Sequence, residues 1–129
     1  MSQIESANPY AAEAQRRWPE QAAESNRRLA RLSTAEQQAL FARGDQIAQA
    51  LADAMALGAT AEAADVQTLV GQHYDWICEF WTPSRDAYVG LGQMYVADER
   101  FKARYERIAT GLAEFLSEAM RLYANANLV

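Results

Sequence analysis

Several things are scarce in this sequence. Its 129 residues hold one cysteine, one histidine, three prolines and six glycines. One cysteine excludes an intrachain disulfide and makes a reducing cytoplasm the expected compartment. No apolar run is long enough to span a bilayer, and the N-terminus lacks the basic and apolar regions of a signal peptide, so no membrane association is expected. Positive charge is also short: the net charge of −5 lacks the basic footprint that a nucleic-acid surface needs. Few prolines, glycines and β-branched residues leave little to interrupt helices or to favour strands.

What is abundant is alanine, at 27 positions, of which 19 fall in the first 65 residues. The composition predicts an all-α domain of five to six or more helices. Pro9 and Pro19 bracket a short amphipathic piece. Ser33-Thr34-Ala35-Glu36 is a capping box opening a helix that carries Leu40, Ile47, Leu51 and Met55 and stops near Leu57-Gly58. Asp65 is expected to cap the next helix, read as 66 to 81. Thr82 is expected to cap another, with Pro83 at its first helical position, running to about Tyr95. Asp98 caps a helix with Phe101, Tyr105 and Ile108 inside. Gly111 marks a break before a last helix with Leu112, Phe115, Leu116, Ala119 and Leu122.

Aromatics divide the chain unevenly. Residues 1 to 64 contain three (Tyr10, Trp18, Phe41), and residues 65 to 129 contain ten. Each aromatic buries far more apolar area than an alanine. One domain over 1–129 is therefore expected to hold a stable core lobe at 65–129. The lid-like helices of 1–64 would then be mobile until something packs against them.

The segment HYDWICEFW, residues 73 to 81, concentrates four aromatics with the only histidine and the only cysteine. On a helical wheel its apolar arc is roughly 200° wide, more than one core contact needs. It must be covered from two directions: by the C-terminal lobe on one side, and by the N-terminal helices, a ligand or another chain on the other. His73 and Cys78 point about 140° apart on a helix, too far for a dyad. No metal ligand occupies the neighbouring helical positions of His73, so neither a metal site nor an enzyme active site is expected. Tyr88, Leu91 and Tyr95 share one helix face, and with Trp76, Phe80 and Trp81 they could line a pocket of flat surfaces with a few hydroxyls. Gly90 and Gly92 either allow close helix packing or leave a groove. Trp18 and Tyr10 are the candidate lid contributions.

From this segment onward, LGQMYVADERF (91–101) and ATGLAEFLSEAMRLYA (109–124) resemble the signature of the TipAS antibiotic-recognition domain. RRW at 16–18 and LSTAEQQ at 32–38 fit its N-terminal part more loosely. The resemblance implies a globin-like helical fold without haem or other cofactor. It implies binding of a bulky, largely apolar, peptide-like antibiotic, of thiopeptide or albicidin type, in a cleft between lobes. It also implies a ligand-binding protein for sequestration, resistance or sensing, in a stand-alone form without the MerR-type DNA-binding domain. Family members that capture thiopeptides covalently use a cysteine where this chain has Gly90, and a second where it has Pro83. Noncovalent binding is therefore expected, by His73, Trp76, Phe80, Trp81, Tyr88, Gly90, Leu91, Tyr95, Trp18 and Tyr10, with the protein a monomer. The other reading is a protein-interaction or dimerisation module using the same wide apolar helix.

Overall fold

The computed structural model describes residues 19 to 129. Tyr10, Trp18 and the amphipathic piece that begins at Pro9 lie outside the described residues. Six helices follow in order: α1 (Pro19–Ala30), α2 (Thr34–Ala56), α3 (Ala64–Ile77), α4 (Arg85–Ala97), α5 (Glu99–Ile108) and α6 (Leu112–Asn127). Among the described residues no strand occurs, so the all-α reading holds.

Most helix ends are set by local chemistry. The Ser33 hydroxyl accepts from the Glu36 amide at 3.1 Å, and the Glu36 carboxylate accepts from the Ser33 amide at 2.9 Å. Both bonds use amides that the first turn of α2 would leave unpaired. At its other end Gly58 has φ +87°, while the Gly58 amide donates to Met55 and the Ala59 amide to Ala54. That pattern closes the last carbonyls of α2 and needs the left-handed conformation at Gly58. Asp98 caps α5 as expected, accepting from the amides of Arg100 and Phe101. Gly111, also at φ +87°, separates α5 from α6. The Glu106 carboxylate, from α5, supplies the cap that Gly111 cannot, accepting from the amides of Gly111 at 2.9 Å and Ala113 at 3.1 Å. Those two bonds hold the Glu106 carboxyl below the usual glutamate range.

Two expected starts are corrected. Asp65 lies in the first turn of α3, with Ala63 at the cap position, and accepts from the Val66 amide. The cap of α4 is Ser84, which accepts from the Ala87 amide, and Pro83 precedes the helix. Thr82 lies outside the helix, and as the residue before a proline it is biased away from helical backbone. The Arg85 amide donates to the Val129 carbonyl, tying the C-terminus to the start of α4. The helix itself runs past Tyr95 to Ala97.

Among the described residues, packing produces one main core and one satellite. The main core joins α4 and α6 most closely: a Cβ on Gly92 would meet the Ser117 Cα at 3.3 Å. Here the packing reading of Gly92 applies, since even an added Cβ would press on Ser117 and Met120 of α6, which would have to give by a few tenths of an ångström. Leu51, Val66, Val70, Tyr88, Leu112, Leu116 and Met120 are its centre, so the later half of α2 belongs to this core together with α3 to α6. The satellite cluster is Leu29 of α1, Leu40 of α2 and Phe80 after α3, flanked by Leu32, Phe41, Trp76 and Trp81. α3 is thus covered from two directions, as its wide apolar arc requires.

Candidate functional site

The aromatic segment does not stay helical throughout. α3 ends at Ile77, and Cys78 to Phe80 form a turn in which the Glu79 amide bonds the Trp76 carbonyl and the Phe80 amide bonds that of Ile77. Phe80 and Trp81 therefore leave the helix on which the sequence placed them. They point into the satellite cluster instead of continuing the face of Ile77.

The turn is held by α1. Arg28 donates to the Cys78 carbonyl at 2.6 Å, and the Ser25 hydroxyl donates to the Phe80 carbonyl at 3.3 Å. A cation at the C-terminal end of a helix also meets the negative pole of its dipole. Arg28 is in turn paired with Glu24 at 3.2 Å. Gln37 of α2 donates to the Leu29 carbonyl at 2.7 Å, so α1 is fastened at its end as well.

Trp76 is the hinge between the two clusters. Its indole N–H donates to the Leu40 carbonyl at 2.8 Å. Its ring lies flat enough on α2 that a Cβ on Gly44 would fall 2.4 Å from the indole. Phe80 meets the Trp76 ring edge-on, with centroids 5.3 Å apart, and Phe41 tilts against Phe80 at 6.1 Å. Five residues, Phe41, Trp76, Phe80, Trp81 and Leu40, thus make a continuous apolar wall beneath α1.

His73 belongs to the other side. It is 3% exposed, with its Nδ1 2.7 Å from the Tyr88 hydroxyl and its ring within about 6 Å of Trp76, Tyr88 and Tyr95. Burial pulls its pKa down to about 4, so the imidazole is neutral at pH 7. Among the described residues its Nε2 has no hydrogen-bond partner. Tyr88 and Tyr95 are also closed in the core, and burial pushes both phenols well above the ordinary tyrosine value. Leu91 is 7% exposed. His73, Tyr88, Leu91 and Tyr95 are therefore neighbours, as one face of α4 requires, but as core and not as an accessible wall. Trp76, Trp81 and Gly90 are half-buried.

Cys78 takes no part with His73. It is half-buried beside Tyr74, whose phenol is pushed up to about 12 by burial and by the neighbouring thiol. Among the described residues no three of His, Cys, Asp and Glu converge as a metal-binding group.

Sequence reasoning missed Gly44, Ser25, Arg28 and Leu29. Gly44 had a local signal: an isolated glycine inside the strong helix FARGDQIAQ costs about 1 kcal/mol against alanine and usually has a packing reason. Arg28 and Ser25 had none, because their partners lie 50 and 55 residues away.

Comparison with known proteins bears directly on this arrangement. The chain is 43% identical over 76 residues to the HTH-type transcriptional regulator SkgA of Caulobacter vibrioides, covering 57% of this chain and 30% of the regulator. It is 32% identical over 105 residues to the HTH-type transcriptional activator mta of Bacillus subtilis, covering 81% of this chain and 40% of the activator. It thus spans well under half the length of these curated relatives. Its fold matches the solved structure of TipAS from Streptomyces lividans in complex with nosiheptide, from a study of thiopeptide multidrug resistance. That match has a TM-score of 0.80 at 22% identity, over 92% of this chain and 85% of the other. Residues 10–123 match the model of the TipAS antibiotic-recognition domain, and the chain belongs to that family.

Proposed function

We propose that this chain binds a bulky, largely apolar, peptide-like antibiotic of thiopeptide or albicidin type without a covalent bond, for sequestration and resistance or for sensing, in the cytoplasm. The family match over residues 10–123 carries this reading. The wall of Phe41, Trp76, Phe80 and Trp81 supports it chemically: flat rings offer stacking area to a heterocycle-rich ligand, with few groups to desolvate. Gly90 and Pro83 stand where covalent members of the family are expected to carry cysteine, so no thiol is available at those positions. α1 lies over the wall on a few polar ties and one leucine, and lifting it would expose the rings.

The test is a tryptophan fluorescence titration of the chain with nosiheptide, followed by intact mass. Quenching with an unchanged mass is the expected result. Stabilisation should reach about 2.7 kcal/mol when the ligand stands at about a hundred times its dissociation constant. Unchanged fluorescence and melting temperature would refute thiopeptide binding, and an adduct would refute the noncovalent mode. The interaction-module reading finds no observation in its favour. Among the described residues the large exposed apolar side chains are Leu57 and Val129, neither on the arc of α3.

A further inference from the structure

A groove of about 410 Å³ runs between α2 and α3, lined by Arg43, Gln46, Ile47, Ala50, Gln72 and Asp75. The size lies within the range of small-molecule sites. Residues 43, 46, 47 and 50 repeat at helical spacing and form one wall; 72 and 75 form the other. Ile47 is the buried floor, and the four polar side chains are exposed above it. Among the described residues, Arg43, Gln46, Gln72 and Asp75 have no hydrogen bond or ion pair, so their donors and acceptors are open to a ligand.

Their chemistry selects a ligand class. Arg43 only donates, Asp75 only accepts, and each glutamine does both. The set has no net charge, with the cation on one wall and the anion on the other. An anionic ligand would meet Asp75 and a cationic one Arg43. A peptide main chain fits both walls, with carbonyls toward Arg43 and N–H groups toward Asp75. Position adds a second argument: Gly44 and Trp76, which pack face to face, are the sequence neighbours of Arg43 and Asp75. The groove therefore adjoins the aromatic wall.

We infer that this groove is the polar half of the ligand site, holding the main-chain amides of a neutral peptide ligand whose rings stack on the Trp76 wall. The inference rests on the antibiotic-binding reading and assigns it a polar subsite. Arg43→Ala and Asp75→Asn should each weaken binding about tenfold, the loss expected for a hydrogen bond to a charged group. Both residues are exposed and unpaired among the described residues, so the melting temperature should stay unchanged.

The experiment is a ¹H–¹⁵N titration of the full chain with nosiheptide, reading the Trp76 indole signal and the side-chain amide signals of Gln46 and Gln72 together. Movement of both sets, with weaker binding in the two variants, supports the inference. Movement of Trp76 alone, with wild-type affinity in the variants, overturns it and leaves the antibiotic-binding reading standing. Movement of the glutamines alone keeps the groove and removes the aromatic wall. If neither set moves, both readings fall.

Discussion

The imidazole Nδ1 of His73 on α3 and the hydroxyl of Tyr88 on α4 lie 2.7 Å apart in a core that leaves His73 3% exposed. The pair is neutral and joins two helices at the level of Trp76. Its cost appears on acidification. The unfolded chain takes a proton on His73 near pH 6.5, whereas the folded chain resists until about pH 4. Between those values the unfolded state holds more protons, so stability falls as pH drops and is fully restored above the higher one. The loss should approach about 3 kcal/mol. An imidazole ¹³C or ¹⁵N titration of the native protein checks this directly. A midpoint near 6.5 would refute it.

Gly44→Ala should destabilise the protein by about 1–3 kcal/mol, because the added methyl enters the Trp76 ring on a helix backbone that cannot retreat. The indole should tilt away, breaking its bond to the Leu40 carbonyl. A red shift in tryptophan emission together with a lower melting temperature is the expected signature. On exposed helix, glycine to alanine would instead stabilise.

Removing the Glu106 carboxylate leaves two amides at the start of α6 without their acceptor. Glu106→Ala should lower stability by about 1 kcal/mol, the usual worth of a helix cap. Chemical denaturation measures it. A variant as stable as wild type would mean that solvent serves those amides equally well.

Arg28→Ala should loosen α1 without unfolding the rest. Arg28 bonds the Cys78 carbonyl, while among the described residues the main core contains none from α1. Hydrogen exchange in residues 19–30 should accelerate while α4 and α6 keep their protection. Equal acceleration throughout would show that α1 is integral to the global fold.

How legible the fold was depends on how local its causes are. Ser33, Gly58, Asp98 and Gly111 act within a few residues of themselves, and each was placed correctly from the sequence. Thr82 is the cap that the sequence leads one to expect for α4, and Ser84 takes that place. Both hydroxyl residues flank Pro83, and the cap is the one whose oxygen reaches the Ala87 amide, a distinction that only the folded backbone shows. Asp65 lies two positions past the cap position at Ala63, where a good capping residue looks the same in sequence.

The site was legible as a concentration of aromatics but not in its division. Helical periodicity shows that Trp76, Tyr74 and His73 face apolar surroundings; it carries no information about which helix arrives there. Gly44 is 32 positions before Trp76, and only the fold shows that its missing side chain makes room for the indole. Tyr88 and Tyr95 were correctly placed on one face, yet aromatic spacing is the same for a core as for a wall. Arg43 and Asp75 gave no signal, because exposed charges on a helix are the commonest pattern of all.

The polar ties of α1 also order events in time. The Glu106 cap closes loops of 5 and 7 residues, and α5 and α6 can meet while the chain is otherwise open. Arg28 and Ser25 must close loops of 50 and 55, and their acceptors exist only after α3 has ended in its turn. Loop entropy puts that step late in folding. By the same logic, mutations in α1 should speed unfolding and leave the refolding rate nearly unchanged.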